Sequence, residues 1–350
     1  MHIPDGYLSP ATCAAGYAAA APFWYVSLQR LKKRLTTRMV PLLSLFSAFS
    51  FVIMMFNLPL PGGTTGHAVG MGIAAIVLGP WGSMLAISVA LLIQAVFFGD
   101  GGITTLGANC FNMAIAGSLV AYAVYRMTAA RASLGSRRRV FAAGLAGYVA
   151  INISALLAAI EFGIQPIFYH DATGAPLYAP YTLHVAIPSM MIGHLTIAGV
   201  AELVLTAGIV AYLQRADPTL LRFTAERTLP FGEGCGTQKG AGFRRLWIGL
   251  GLLMLLAPVG VLAVGTAWGE WSARDFGTVE ARQKIADASQ NLAPPAVAPA
   301  GLKRLSRVWT APFPAYAPGI VRNERFGYML SAMFGVGLVI LAVFGVSRLL

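Results

Sequence analysis

The chain opens Met1-His2-Ile3-Pro4-Asp5-Gly6, a histidine directly after the residue that carries the α-amine, held by a Pro-Asp-Gly turn. An unprotonated amine, the His2 backbone nitrogen once deprotonated, and the His2 imidazole can bind one ion through fused rings. Such planar nitrogen sets favour Ni(II) or Cu(II). A fourth donor must come from elsewhere. Pro61-Gly62-Gly63-Thr64-Thr65-Gly66-His67 offers one: the glycines let the backbone fold back, Thr64 and Thr65 supply hydroxyls and amides to orient a ligand, and His67 ends the loop. If it faces the same compartment as His2, His67 is the expected fourth nitrogen.

Around these lie polar side chains in apolar surroundings. Gln94, Asn109 and Asn112 are amides within or beside hydrophobic stretches, where an unpartnered polar group is costly. Asn109 and Asn112, three residues apart, are expected to share a helix face, either orienting His2 or His67 or bonding between helices. Asp100 sits among three glycines and reads as a turn-former. Glu202 is the one carboxylate read as lying deep in an apolar segment, with His194 eight positions earlier and about two turns away. The pair is expected to form a buried polar network with a structural or coupling role rather than share a metal. His170 and His184 read as surface groups.

Positioning such groups requires a membrane fold. Of 350 residues, 57% are hydrophobic and 11% charged, which excludes a soluble domain and exceeds a single span. Apolar segments run near 10–29, 39–57, 68–79, 82–98, 104–125, 140–160, 185–213, 246–268 and 327–347, predicting an all-α polytopic protein of about nine transmembrane helices, seven in a first module and two in a second. Gly79-Pro80-Trp81-Gly82 is the reversal between the third and fourth. Lys and Arg cluster at 30–38, 126–139 and 215–245, whereas Asp5, Asp100, Glu161 and Asp171 are expected in loops on the opposite, outer face. The positive-inside rule then places the N-terminus outside and the C-terminus inside. The net charge of +12 is explained by this topology, so no nucleic-acid partner is expected. No basic region precedes the first apolar stretch, so no cleaved signal is expected and Met1 stays available.

Cys13, Cys110 and Cys235 show no C-x-x-C spacing and read as idle thiols. The Ala14 to Ala21 run in the first span offers a small-residue face for a close helix partner. The expected domains are a metal-binding transmembrane module at 1–215, a cytoplasmic linker at 216–245 that includes the glycine-containing stretch Phe231 to Gly242, and an accessory module at 246–350. In the last, two spans enclose an external loop. That loop holds an extended Pro/Ala spacer from Asn291 to Gly301 and mixed charges, Glu270, Arg274, Asp275, Glu280, Arg282 and Lys284, read as a solvated helix face without chemistry. There is no P-loop, H-E-x-x-H or G-x-S-x-G motif, so neither ATP hydrolysis nor an intramembrane hydrolase is indicated.

Met1-His2-Ile-Pro-Asp-Gly-Tyr-Leu-Ser9, Gly62 to His67, Phe97 to Asn109 and Gly193-His194 through Glu202 together resemble the CbiM/NikM family over residues 1 to 215. These are substrate-binding subunits of energy-coupling-factor transporters for cobalt or nickel in the bacterial inner membrane. The resemblance implies a metal held by the Met1 amine, the His2 amide and imidazole, and His67. It also implies a transmembrane coupling subunit and cytoplasmic ATPases as partners, with the metal ion as cargo and no cofactor. The tail is similar in layout to the small accessory subunit of such systems. It lacks the Pro-Asp-Gly-Leu-Glu signature of one fused type, of which Arg274-Asp-Phe-Gly-Thr-Val-Glu280 is a distant echo. Nickel is preferred over cobalt, because amide nitrogen in a square plane suits Ni(II) and because a fused tail resembles nickel-type members. A self-sufficient channel or secondary transporter calls for carboxylates along a pathway, of which only Glu202 is visible. A membrane enzyme calls for an acid, base and nucleophile set that is not found.

Overall fold

The computed structural model describes residues 1–33, 39–130, 132–224, 241–263, 265–319 and 321–349. Arg34, Arg38, Arg131, Cys235 and the linker stretch 231–240 lie outside the described residues.

Helix α1 (Pro10–Lys32) starts where Ser9 Oγ accepts from the Thr12 amide at 3.1 Å and Pro10 fills the first turn, where its missing N–H leaves nothing unpaired. Helix α2 (Met39–Met54) leads to an antiparallel hairpin, β1 (Leu58–Leu60) and β2 (Thr64–Gly66), with Leu58 opposite Gly66 and Leu60 opposite Thr64. Gly62 and Gly63 make its turn at φ 81° and 72°, a region open to glycine at little strain. The expected glycine loop is therefore a small sheet within a helical fold.

Then follow α3 (Met71–Phe98), α4 (Leu106–Thr128), α5 (Arg137–Phe168), α6 (Leu183–Ala216) and α7 (Arg244–Leu262), two short helices α8 (Val279–Ala288) and α9 (Ala300–Leu305), and α10 (Glu324–Leu349). Among the described residues six helices, α3 to α7 and α10, are long and apolar enough to cross a membrane, and α2 is a shorter apolar helix. The structure thus carries the expected polytopic helical class. Helix α1 is not among the six, because two prolines, Gly16, Thr12, Ser27, Trp24 and two tyrosines make it less apolar even before Gln29, Arg30 and Lys32 at its end.

Helix α3 is where the span count departs from the sequence pattern. Its 28 residues would reach roughly 42 Å if straight, yet His67 just before it and Asp100 just after it both meet His2. The fold-back is at Gly79, with φ 72° and ψ 171°, a conformation reserved for glycine, followed by Pro80. The reversal expected at Gly79-Pro80-Trp81-Gly82 is present. The limb before it, however, has eight helical residues, about 12 Å, too short to cross a hydrocarbon core of about 30 Å. The expected span at 68–79 is a half-length limb.

Helix α3 is also the core. It is almost wholly buried and packs against α1, α2, α4, α5, α6 and α10. Gly16 of α1 and Gly107 of α4 let those helices touch: a methyl at Gly16 would meet Ala108, and one at Gly107 would meet Tyr17. Gly16 and Ala20, the inward positions of the Ala-rich face, are occupied by the chain itself. From the C-terminal side, α7 and α10 pack on α2. The loop between them is stitched to the rest by Tyr7 Oη to Trp271 O at 2.7 Å, Gly301 N to Leu177 O at 2.7 Å, Trp309 Nε1 to Val96 O at 2.8 Å and Phe313 N to Phe97 O at 2.9 Å. The stretch expected as an extended spacer is irregular backbone that begins in a turn, with Asn291 at φ 61°, and its last residues, Ala300 and Gly301, open α9; Glu280 and Lys284 pair on the exposed face of α8, as the sequence suggests.

Candidate metal site

The N-terminal residues are threaded into the protein rather than frayed at its edge: Met1 is 3% exposed and His2 and Ile3 are fully buried. Ile3 is the anchor. Its N–H donates to Asn109 Oδ1 at 2.8 Å, Asn109 Nδ2 donates back to Ile3 O at 3.0 Å, and the Gly102 N–H reaches the same carbonyl at 3.0 Å. Asp5 accepts from the Ile103 and Thr104 amides at 3.1 and 2.7 Å. The Pro4-Asp5-Gly6 turn is thereby locked to the segment that follows α3.

This threading brings the His2 ring to the His67 ring, with centroids 4.9 Å apart and planes at 49°. His67 is neutral and aimed. Its Nδ1 contacts the Ala68 carbonyl at 3.1 Å; a carbonyl only accepts, so Nδ1 carries the hydrogen and Nε2 keeps a lone pair. Burial, reinforced by the His2 ring and the N-terminal amine, holds the His67 pKa well below its usual range.

Glu202 fixes where His67 stands. Its Oε2 accepts from the Val69 and Gly70 amides at 2.8 and 2.9 Å, and its Oε1 from the Gly72 amide at 3.2 Å. A carboxylate thereby caps the short limb of α3 and satisfies donors that have no partner within the helix. Glu202 binds backbone, two residues past His67, and takes the structural role expected of it. The expected network with His194 is not formed. His194 Nδ1 bonds Met190 O at 2.8 Å, because residues 194–198 form a π-turn that rotates the ring away from the face expected at α-helical spacing.

Two acidic side chains touch the proposed donors, and both were read as inert from sequence. Asp100 accepts from His2 Nδ1 and from Tyr316 Oη at 2.6 Å, and Gln94 Nε2 reaches Tyr316 Oη at 2.9 Å and Asp100 Oδ2 at 3.4 Å. Burial disfavours the Asp100 carboxylate, but the His2 ring and the Tyr316 hydroxyl outweigh it and hold its pKa below the ordinary range. Asp100 is therefore a partner of His2 and not simply a turn-former. Glu270, placed on a solvated face by sequence, has Oε1 at 3.5 Å from the Met1 amine. Burial raises its pKa and the amine opposes that shift. Buried Tyr316 is held protonated, its pKa raised well above the usual phenol value, so its hydroxyl donates.

The remaining sequence candidates divide. Gln94 bonds Asp100, which holds His2, and Asn109 bonds the backbone of Ile3. Asn112 donates instead to Glu161 Oε2 at 2.7 Å, since residues 110–116 are also π-helical and turn it off the Asn109 face. Glu161 itself lies within α5 and not in an external loop, giving the fold a second carboxylate in a span. Thr64 bonds Pro61 O at 3.3 Å, and Thr65 bridges to Ala267 of the C-terminal segment. Both threonines are buried in β2, where they pair with Leu60 and Pro59 of β1. Cys13 and Cys110 are buried free thiols.

Among the described residues no three His, Cys, Asp or Glu side chains are grouped to hold a metal. The buried His2 Nε2 has no hydrogen-bond partner, and neither does His194 Nε2.

Residues 2–220 match the family described as the cobalt uptake substrate-specific transmembrane region, CbiM. Residues 244–350 match the PDGLE domain, although the literal five-residue signature is absent from the tail. The fused nickel transport protein NikMN of Rhodobacter capsulatus is 57% identical over 98% of this chain and 96% of its own length. The probable fused nickel transport protein LarMN of Lactiplantibacillus plantarum is 44% identical over 81% of this chain and 82% of its own. A crystal structure described as a transition metal transporter superposes with a TM-score of 0.59 at 48% identity, covering 65% of this chain and 99% of that one. The polytopic helical frame agrees with these matches, and the chain belongs to the CbiM family of multi-pass membrane proteins, here continued by a PDGLE domain.

Proposed function

We propose that this chain is the substrate-specificity subunit of an ATP-driven energy-coupling-factor importer in the bacterial inner membrane. It captures a divalent transition metal outside and delivers it to the cytoplasm. The metal is Ni(II) in this reading: an amine, an amide nitrogen and two imidazoles form the nitrogen set that suits a square plane. The 57%-identical relative is named a nickel transport protein. Cobalt is the runner-up cargo.

One observation carries the reading. The N-terminal amine and the His2 ring are buried beside the His67 ring instead of trailing into solvent, and a buried amine is costly without a purpose. The fused chelate closes through His2 Nδ1, since Nε2 points away from the backbone nitrogen. That is the nitrogen Asp100 holds. Loading therefore displaces Asp100 from Nδ1 and Glu270 from the amine, while His67 Nε2 completes the plane. The division into a metal-binding module at 1–215, a linker at 216–245 and an accessory module at 246–350, with the N-terminus outside and the C-terminus inside, belongs to the same proposal. Its support is the basic clustering that follows α1, α4 and α6.

A transmembrane coupling subunit and cytoplasmic ATPases supply the energy, because binding alone cannot concentrate an ion. Radiolabelled nickel and cobalt uptake, measured in a host lacking compatible partners with and without co-expressed coupling and ATPase subunits, tests this. Sustained uptake only with the partners, and nickel preferred, is expected. Strong concentrative uptake by the chain alone would overturn it.

A further inference from the structure

Between the N-terminal turn and the loop of the C-terminal segment lies an open cavity of about 740 Å³, lined by Pro4, Asp5, Tyr7, Glu270 and Trp271 among others. Its floor is close to the buried amine: Glu270 lines the cavity, its side chain is 22% exposed, and its Oε1 is 3.5 Å from the Met1 nitrogen, whose side chain is 1% exposed. Of the two lining carboxylates, Asp5 already accepts three hydrogen bonds, from the Ile103 and Thr104 amides and the Thr104 hydroxyl. Arg274, Lys303 and Arg307 line the same cavity and as cations cannot bind a metal ion. Glu270 is thus the lining group with oxygen lone pairs left for a cation and contact with a proposed ligand.

We infer that Glu270, supplied by the C-terminal segment, is the residue that takes the metal from this cavity and passes it to the Met1 amine. A hydrated dication exchanges one water for a Glu270 carboxylate oxygen; the Met1 ammonium, which donates to that carboxylate, releases one proton to water, and the amine lone pair so freed replaces the Glu270 oxygen on the ion. The geometry allows one ion to touch both groups, since two donor bonds of about 2 Å reach across roughly 4 Å and the atoms are 3.5 Å apart. A carboxylate oxygen suits this task, because it binds a hydrated divalent ion yet yields to a nitrogen chelate. Glu270 acts on loading and is absent from the final nitrogen plane. This inference rests on the ligand set proposed above.

The test uses the full chain with an untouched N-terminus and a C-terminal tag, mixed with Ni(II) and followed by the fluorescence of Trp268 and Trp271. Glu270→Gln keeps an acceptor for the amine but removes the charge; it should slow association at least about tenfold while equilibrium affinity falls much less. Glu270→Asp should restore most of the rate. Glu280→Gln, on the exposed face of α8, should leave it unchanged. Glu270→Gln with a wild-type association rate, or slowed no more than Glu280→Gln, overturns the inference, as does a Glu270→Asp no faster than Glu270→Gln when both melt like wild type. Absence of Ni(II) binding to the wild-type chain refutes the ligand set itself, a failure distinct from normal binding with Glu270 irrelevant.

Discussion

Tyr316 donates its hydroxyl to Asp100 at 2.6 Å, and Asp100 in turn holds the His2 ring. A residue near the end of the chain therefore sets the orientation of a residue at its start. Tyr316 also stacks on Phe98 with centroids 4.8 Å apart, so Tyr316→Phe should retain the ring packing and lose one hydrogen bond to a charged acceptor. A stability loss of about 1.5–3 kcal/mol is expected, with nickel affinity weakened in the same variant. Thermal melting and calorimetric titration check both.

Removing the carboxylate should do more. Asp100→Ala frees the His2 ring, leaves Tyr316 and Gln94 without a shared partner, and deletes a negative charge beside a divalent ion. Asp100 leaves Nδ1 on loading, so the weakening comes from the lost counter-charge and from a His2 ring no longer pre-oriented in the metal-free protein, and a loss of about 10-fold or more is expected. Unchanged affinity on titration would mean that Asp100 fills a turn and nothing else.

Glu202→Gln separates framing from ligation. Glutamine replaces one of two accepting oxygens with a donor facing the Gly72 amide or the Val69 and Gly70 amides, at about 1–3 kcal/mol for stranded buried groups. Melting temperature and metal affinity should both fall. The visible absorption spectrum of the bound nickel should stay as in wild type, because no ligand changes. An altered spectrum would place Glu202 in the coordination sphere.

The metal-free protein should lose stability on mild acidification. The buried His67 resists protonation in the folded state, whereas the unfolded chain takes that proton near pH 6.5. Below that pH the unfolded state binds more protons, so stability falls as pH drops from 7 toward 5. His67→Gln should flatten this slope in melting experiments across that range.

His2 and His67 were legible because their chemistry is local: adjacency to the amine marks one and a glycine-rich loop marks the other. Glu202 was legible as a lone carboxylate in an apolar helix, though not its use as a cap, since its partners are backbone amides. Asp100, Glu270 and Tyr316 were not legible as site residues. Their partners stand 98, 269 and 216 residues away, and a carboxylate that pairs across such distances carries no periodicity or spacing. Asn112 and His194 were misplaced for a different reason. Each follows an α-helical count through a π-helical stretch, where the angle per residue changes. The half-length limb of α3 was hidden by hydropathy, which registers apolar length but not whether a segment folds back.

Register at the N-terminus tests the central claim most directly. One proline inserted between Met1 and His2 preserves every other side chain and the charge, yet moves the amine one residue from the imidazole, and its ring nitrogen, which carries no hydrogen, cannot serve as an additional planar donor. Nickel affinity, measured by calorimetric titration on wild type and on this variant with both N-termini confirmed by mass spectrometry, should collapse in the variant while its melting without metal changes little. Wild-type affinity in the insertion variant would contradict the account and remove the amine from the coordination of the metal.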